Sequence, residues 1–191
     1  MGAPLHRWIP SGYVLPMQRD LGELQIIEGS TDASGVRICV VVSRFNELVT
    51  ESLLDGALGA LRRAGGADSD LTVVRVPGAW ELPGAAERAL ATGTYDAVVA
   101  LGCLIRGDTL HYELIAGQTA SALASLQTST GRPVVLGVLT CDTLEQAMDR
   151  AGAKCGNKGA EAALTAVEMV HVYAGLAAKK GRATRSRGKR K

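Results

Sequence analysis

Between Val36 and Ala178 the chain alternates between two hydrophobic periods, and this alternation limits the folds open to it. Val36–Ser43 is a nearly continuous β-branched run, as expected of a strand buried on both faces. Glu47–Ala64 then places Leu48, Leu53, Leu54, Ala57, Leu58 and Leu61 at helical spacing. The switch recurs. Leu71–Val76, Ala97–Leu101 and Pro133–Leu139 read as strands. Leu82–Leu90 (ended by Gly93), Leu110–Ser129, Thr143–Ala151 (with Asp142 as its cap) and Asn157 to about Ala178 (capped by Asn157) read as helices, with a break at Gly152–Gly156. Strands that alternate with helices predict a parallel sheet with right-handed crossovers and helices on both faces. Leu24–Glu28 is expected to add a short edge strand.

Ligands of such sheets bind beyond the carboxyl ends of the strands. Four segments should meet there: Ser43–Asn46, Pro77–Glu81, Gly102–His111 and Leu139–Asp142. The chain has a single Phe and two Trp, and Phe45 and Trp80 both fall in these segments. They suit stacking on a flat heterocycle, or equally a packing role at the sheet edge. Gly102–His111 is the densest polar cluster. Backbone N–H groups at Gly107–Thr109, where a helix begins, can hold an anion such as phosphate. His111 lies in that helix's first turn, a position suited to moving protons at the strand ends. A lone His is more often structural, and the strand-to-helix turn before it raises its standing here. A second polar cluster, Arg150–Gly159, holds Arg150 and Lys158. Arg150 ends a helix on the side opposite the strand ends, so it should not reach its own chain's pocket. It is either a cation at a helix C-terminus or a ligand of a neighbour's substrate.

Composition narrows the class further. Apolar residues make up 47% of the 191 and charged residues 21%, as in a folded domain. No apolar run reaches the length of a membrane span. Cys39, Cys103, Cys141 and Cys155 form no CxxC pair and have no His at ligand spacing, so reduced thiols in a cytoplasmic protein are expected and no metal site. The first residues do not have the pattern of a secretory signal. Residues 179–191 carry eight Lys and Arg and no acid, while the other 178 residues hold 13 basic and 19 acidic groups, a net of −6. Three parts are expected: an extension at 1–24, an α/β domain at 25–178 and a basic, disordered tail at 179–191. For the tail two readings stand, a solvated terminus or salt-dependent binding of nucleic acid or cargo.

Five segments in order carry a resemblance: Ser43–Asn46 (SRFN), Val76–Pro83 (VPGAWELP), Gly102–Tyr112 (GCLIRGDTLHY), Gly137–Thr140 (GVLT) and Arg150–Gly159 (RAGAKCGNKG). From about Val36 to Ala174 the chain resembles lumazine synthase, the penultimate enzyme of riboflavin biosynthesis. The resemblance implies a flavodoxin-like, three-layer α/β/α sandwich on a four-stranded parallel sheet. It implies condensation of 5-amino-6-(D-ribitylamino)uracil with 3,4-dihydroxy-2-butanone 4-phosphate to 6,7-dimethyl-8-ribityllumazine, phosphate and water, with no cofactor and no metal.

Carried over by position, Phe45 stacks on the pyrimidine and Asn46 beside it also binds substrate. Ala79, Trp80 and Glu81 hold the ribityl chain and part of the ring, and Cys103, Leu104 and Ile105 line the uracil pocket through their backbone. Asp108 and Thr109 form the phosphate turn, His111 moves protons, and Arg150 of the adjacent subunit binds phosphate with help from Lys158. Leu136 stands where the family often has Phe, which implies weaker substrate binding rather than lost activity. Asp108 stands where Glu or Ala is common, so its backbone N–H should make the phosphate contact. The family forms pentamers, some of them closed into sixty-subunit shells, and the Gly152–Gly159 turn resembles the shell formers. A non-catalytic flavin-binding or shell-forming protein on the same fold is the alternative.

Overall fold

The computed structural model describes the backbone of residues 24–187 and side chains through residue 178. Four strands, β1 (Ile38–Ser43), β2 (Leu71–Val76), β3 (Ala97–Ile105) and β4 (Val134–Cys141), form one parallel sheet in the order β2-β1-β3-β4. Five helices, α1 (Glu47–Arg63), α2 (Leu82–Ala91), α3 (His111–Thr130), α4 (Leu144–Arg150) and α5 (Lys158–Arg187), cover it.

The period-2 geometry of a strand explains the three layers. Along β1, Ile38, Val40 and Val42 pack with Leu53, Leu61, Ala163 and Val167 of α1 and α5. Cys39 and Val41 point the other way, toward Leu82, Ala86 and Leu123 of α2 and α3. All six β1 residues are buried, which is why this strand reads as an unbroken apolar run. Burial pushes the Cys39 thiol up to about 11 and the Cys103 thiol up to about 12, so both stay protonated at neutral pH.

Three local expectations are corrected. First, β3 does not stop at Leu101. It runs to Ile105, with Gly102–Ile105 paired to Val138–Cys141 of β4. Gly102 is therefore a strand residue, and a Cβ there would lie 3.2–3.4 Å from Leu82, Ser43 and Val138 side chains. Second, α4 is capped by Thr143, whose hydroxyl accepts from the Gln146 N–H at 3.2 Å, rather than by Asp142. Third, Leu24–Glu28 forms no strand. This segment instead lies across α5. Ile27 approaches Gly175, Gly29 lies against the Glu168 backbone, and His171 Nε2 is 2.8 Å from the Asp32 carbonyl oxygen. Ile27 turns to this helix, while Leu24 and Ile26 are exposed.

Asn157 caps α5 as expected. Its Oδ1 accepts from the N–H groups of Gly159 and Ala160, at 2.9 and 3.1 Å. The helix then continues to Arg187, nine residues past the expected end and into the 179–191 segment expected to be disordered. The remaining expectations for residues 1–23 and 188–191 lie outside the described residues. Among the described residues no helix is long and apolar enough to cross a membrane.

Candidate functional site

The carboxyl end of the sheet is uneven, and this makes the first hollow. The last β1–β3 pair is Val42 with Leu101, so β3 runs on beyond β1 with only β4 beside it. On the open side, Asn46 Nδ2 donates to the Cys103 carbonyl at 2.9 Å. Asn46 is held left-handed, at φ 59° and ψ 48°, the single non-glycine residue with positive φ among those described. Asn tolerates this conformation better than most residues, and here it turns the chain from β1 into α1. The segment before it is zipped to the end of β2, since the N–H groups of Arg44 and Phe45 donate to the carbonyls of Val76 and Pro77. Phe45 is thereby set on the rim, 65% exposed.

Asn46→Ala is expected to lose about 2 kcal/mol, roughly half from the lost hydrogen bond and half from the left-handed backbone. Asn46→Gly should lose only about 1 kcal/mol, because glycine accepts the backbone without strain. Urea melts of both variants check this. Equal losses would mean that the backbone there is unstrained.

The resulting hollow has a volume of about 340 Å³, ordinary for a small-molecule site. Phe45, Ala79, Trp80, Leu104, Ile105, Thr109 and His111 line it together. Gly107, expected at the anion-holding turn, lines it as well, and so do Gly78, Tyr112 and Ile115, for which no role was expected. Ile115 follows His111 by four helical positions, a spacing that could have flagged it; nothing in the spacing points to Tyr112, one position on. His111 is the first residue of α3, and Leu110 before it supplies no side-chain cap to the helix N–H groups.

Four expected members do not line the hollow. Asn46 is spent on Cys103. Cys103 is buried beneath the wall with its carbonyl already bonded. Glu81 accepts from the Gly78 N–H at 2.9 Å and closes its own turn, Ala79–Glu81. Asp108 is exposed on the loop before α3.

Arg150, Lys158 and Leu136 lie elsewhere. They line a second hollow of about 440 Å³ along the outer edge of β4, together with Thr140, Glu161 and Thr165. Arg150 thus stands beside the edge strand, not at the opposite end of the sheet as its position in the chain suggested. The reason is length: α4 has seven residues, about 10 Å of helix, too short to cross the sheet. The members of α5 missed in this hollow, Glu161, Ala162 and Thr165, stand three, four and seven positions after Lys158, on one helical face.

Asn157 fixes the turn between the two cations. Its Nδ2 donates to the carbonyls of Ser52 and Ala151 at 2.8 and 2.7 Å, while Oδ1 serves α5 as described above. Lys158 is paired with Glu161. No carboxylate pairs with Arg150 among the described residues. Its guanidinium donates only a long bond, 3.4 Å, to the Gln146 carbonyl. A cation left without a counter-charge beside an apolar strand edge is suited to an incoming anion.

Residues 35–174 match the family model described as 6,7-dimethyl-8-ribityllumazine synthase. A protein of that name from Edwardsiella ictaluri is 52% identical over 156 residues, which are 81% of this chain and all of that protein. One from Anaeromyxobacter dehalogenans (strain 2CP-C) is 51% identical over 154 residues, 81% of this chain and 95% of its own length. One from Chlorobium phaeovibrioides is 47% identical over 151 residues, 79% of this chain and 97% of its own length. With the match running from the start of the sheet into α5 and taking in both hollows, the chain belongs to the 6,7-dimethyl-8-ribityllumazine synthase family.

Proposed function

We propose that this chain performs its family's reaction in sites that each need two copies of it. The reaction is the condensation of 5-amino-6-(D-ribitylamino)uracil with 3,4-dihydroxy-2-butanone 4-phosphate, a transferase step of riboflavin biosynthesis. The observation that carries the shared site is the separation of the two hollows. The stacking rings and His111 line one, and Arg150 and Lys158 line the other. In this reading the edge of β4 from one copy closes the carboxyl-end hollow of the next.

Phe45 stacks on the pyrimidine, with Leu136 of the adjoining copy against its other side. Trp80 and the Ala79–Glu81 turn hold the ribityl chain. Beyond Leu101 the open side of β3 meets the uracil edge at Leu104 and Ile105. The phosphate sits between Thr109, the backbone at Asp108 and Arg150, with Lys158 beside it. The amine attacks the ketone, and loss of a water gives the imine. Elimination then breaks the carbon–oxygen bond to phosphate, which leaves with the electron pair. The enol left at the carbon that bore the 3-hydroxyl ketonises, and attack of the ribitylamino nitrogen on this new carbonyl closes the ring and releases a second water. His111 moves the protons that these steps exchange. Positioning and phosphate binding supply the rest of the acceleration.

Exposed apolar groups support assembly. Of the 20 residues of α3, only Thr119 and Leu123 are buried, while Leu114 and the preceding Leu110 are exposed. We take the assembly to be built of pentamers and, from the likeness of the Gly152–Gly159 turn, to close into a sixty-subunit shell. The cytoplasm suits it, since all four cysteines are free thiols. Mixing His111→Ala with Arg150→Ala subunits tests the shared site, because only sites made by two copies regain activity.

For the tail, eight cations in 13 residues favour nucleic acid over neutral cargo. Deleting residues 179–191 should abolish salt-sensitive binding of a labelled single-stranded RNA and spare lumazine synthesis. Unchanged RNA binding would leave the tail a solvated terminus.

A further inference from the structure

Arg106 directly follows β3, and its side chain joins three elements at the mouth of the first hollow. Its backbone N–H donates to the Cys141 carbonyl at 2.9 Å, extending the β3–β4 ladder by one residue. Its Nε donates to Asp142 Oδ1 at 2.9 Å, in the turn that leads into α4. Another guanidinium N–H donates to Glu113 Oε1 at 2.6 Å, in the first turn of α3. The guanidinium carbon stands 4.9 Å from the centre of the Tyr112 ring, which lines the hollow beside His111.

Such a network adds little to stability. Arg106, Glu113 and Asp142 are 50%, 45% and 64% exposed, and ion pairs so exposed contribute little. Its geometric effect is larger. Residues 107–110 form a loop without regular structure between Arg106 and α3. A Cβ at Gly107 would touch nothing within 4 Å, so packing does not hold the loop there. Arg106 sits at one end of the loop and grips Tyr112 and Glu113 just past the other. It also grips Asp142, at the head of the helix that ends in Arg150.

We propose that Arg106 is a positioning residue, a clamp that sets the 107–110 loop and the first turn of α3 for the phosphate-bearing substrate. This rests on placing the phosphate at that turn. Two of the clamp's bonds go to carboxylates, so Arg106 acts through its neighbours rather than as a phosphate ligand. The two roles predict opposite signs for the partners. If Arg106 bound phosphate itself, neutralising Glu113 or Asp142 would free it and tighten binding. As a clamp, it loses its hold on one element with each neutralisation, and binding weakens.

The test is steady-state kinetics on the assembled protein, with inorganic phosphate as a competing probe and Arg150→Ala in parallel. Arg106→Met is expected to raise KM for the butanone phosphate about tenfold or more, and to weaken inhibition by inorganic phosphate alike. KM for the aminouracil should change far less, and Tm by no more than about 3 °C. Arg106→Lys should recover only part of the loss, because an ammonium is a point charge that cannot span both carboxylates. Glu113→Gln and Asp142→Asn should each raise the same KM. An unchanged KM in Arg106→Met, or a lowered KM in the two neutralised variants, overturns the clamp whatever Arg150→Ala does. If Arg150→Ala also leaves the phosphate KM unmoved, the placement of the phosphate falls with it.

Discussion

Arg150→Ala is expected to lower kcat/KM for the butanone phosphate by about 10²–10³-fold while leaving the fold intact. A charge-assisted, bidentate contact to phosphate in a closed site is worth about 3–4 kcal/mol, at roughly 1.4 kcal/mol per factor of ten. The fold has little stake in this side chain. Arg150 has no carboxylate partner among the described residues and one long bond to its own helix, so truncation leaves no buried charge behind. Arg150→Lys should recover only part of the activity, since it keeps the charge and loses the fork.

The mixing experiment gives this prediction its second half. In a random equal mixture of His111→Ala and Arg150→Ala subunits, about a quarter of the shared sites receive an intact His111 from one copy and an intact Arg150 from the next. About a quarter of wild-type activity should therefore return. If each chain carried a complete site, the mixture would show only the average of the two inactive variants. That average would sink the shared-site reading.

Gly159→Ala is expected to be the most damaging alanine substitution among the described glycines. A Cβ at Gly159 would lie 2.0 Å from the Leu53 carbonyl oxygen and 2.7 Å from its carbon. These are backbone atoms of α1 that cannot rotate away, so α1 and α5 must separate. The joint holds much else. Leu53, Ala163 and Val167 are fully buried in it, and the Asn157 amide reaches across to the Ser52 carbonyl. Overpacking against backbone should cost about 3 kcal/mol, a fall of roughly 6–12 °C in Tm for a chain of this size. The same displacement moves Lys158, so phosphate affinity should fall with stability. Gly84→Ala is the control. Gly84 lies inside α2 with nothing within 4 Å of its added Cβ, and alanine there should stabilise by roughly 0.5–1 kcal/mol. Thermal melts of the two variants in parallel would show opposite shifts. A Gly159→Ala variant that melts with the wild type would mean that α5 docks more loosely than its contacts imply.

The order of elements and the layering were legible along the chain, because both rest on local periods. The buried run of β1 and the helical spacing of α1 are properties of neighbouring residues, and the structure keeps them within a residue or two. The motifs at the strand ends were legible for the same reason: Phe45, Trp80, Thr109 and His111 lie in segments that parallel topology must bring together.

The contacts that span the chain are set by the packing of the elements. Asn157 meets Ser52 across 105 positions, and Arg106 meets Asp142 across 36. Gly102 read as a turn until Val138 and Ser43 were seen packed around it within β3. Arg150 was expected at the far end of the sheet, and the shortness of α4 left it beside β4. Period and propensity describe which face of an element is buried. Which partner buries it, and where a long cation comes to rest, depend on crossovers and helix lengths that no local window contains.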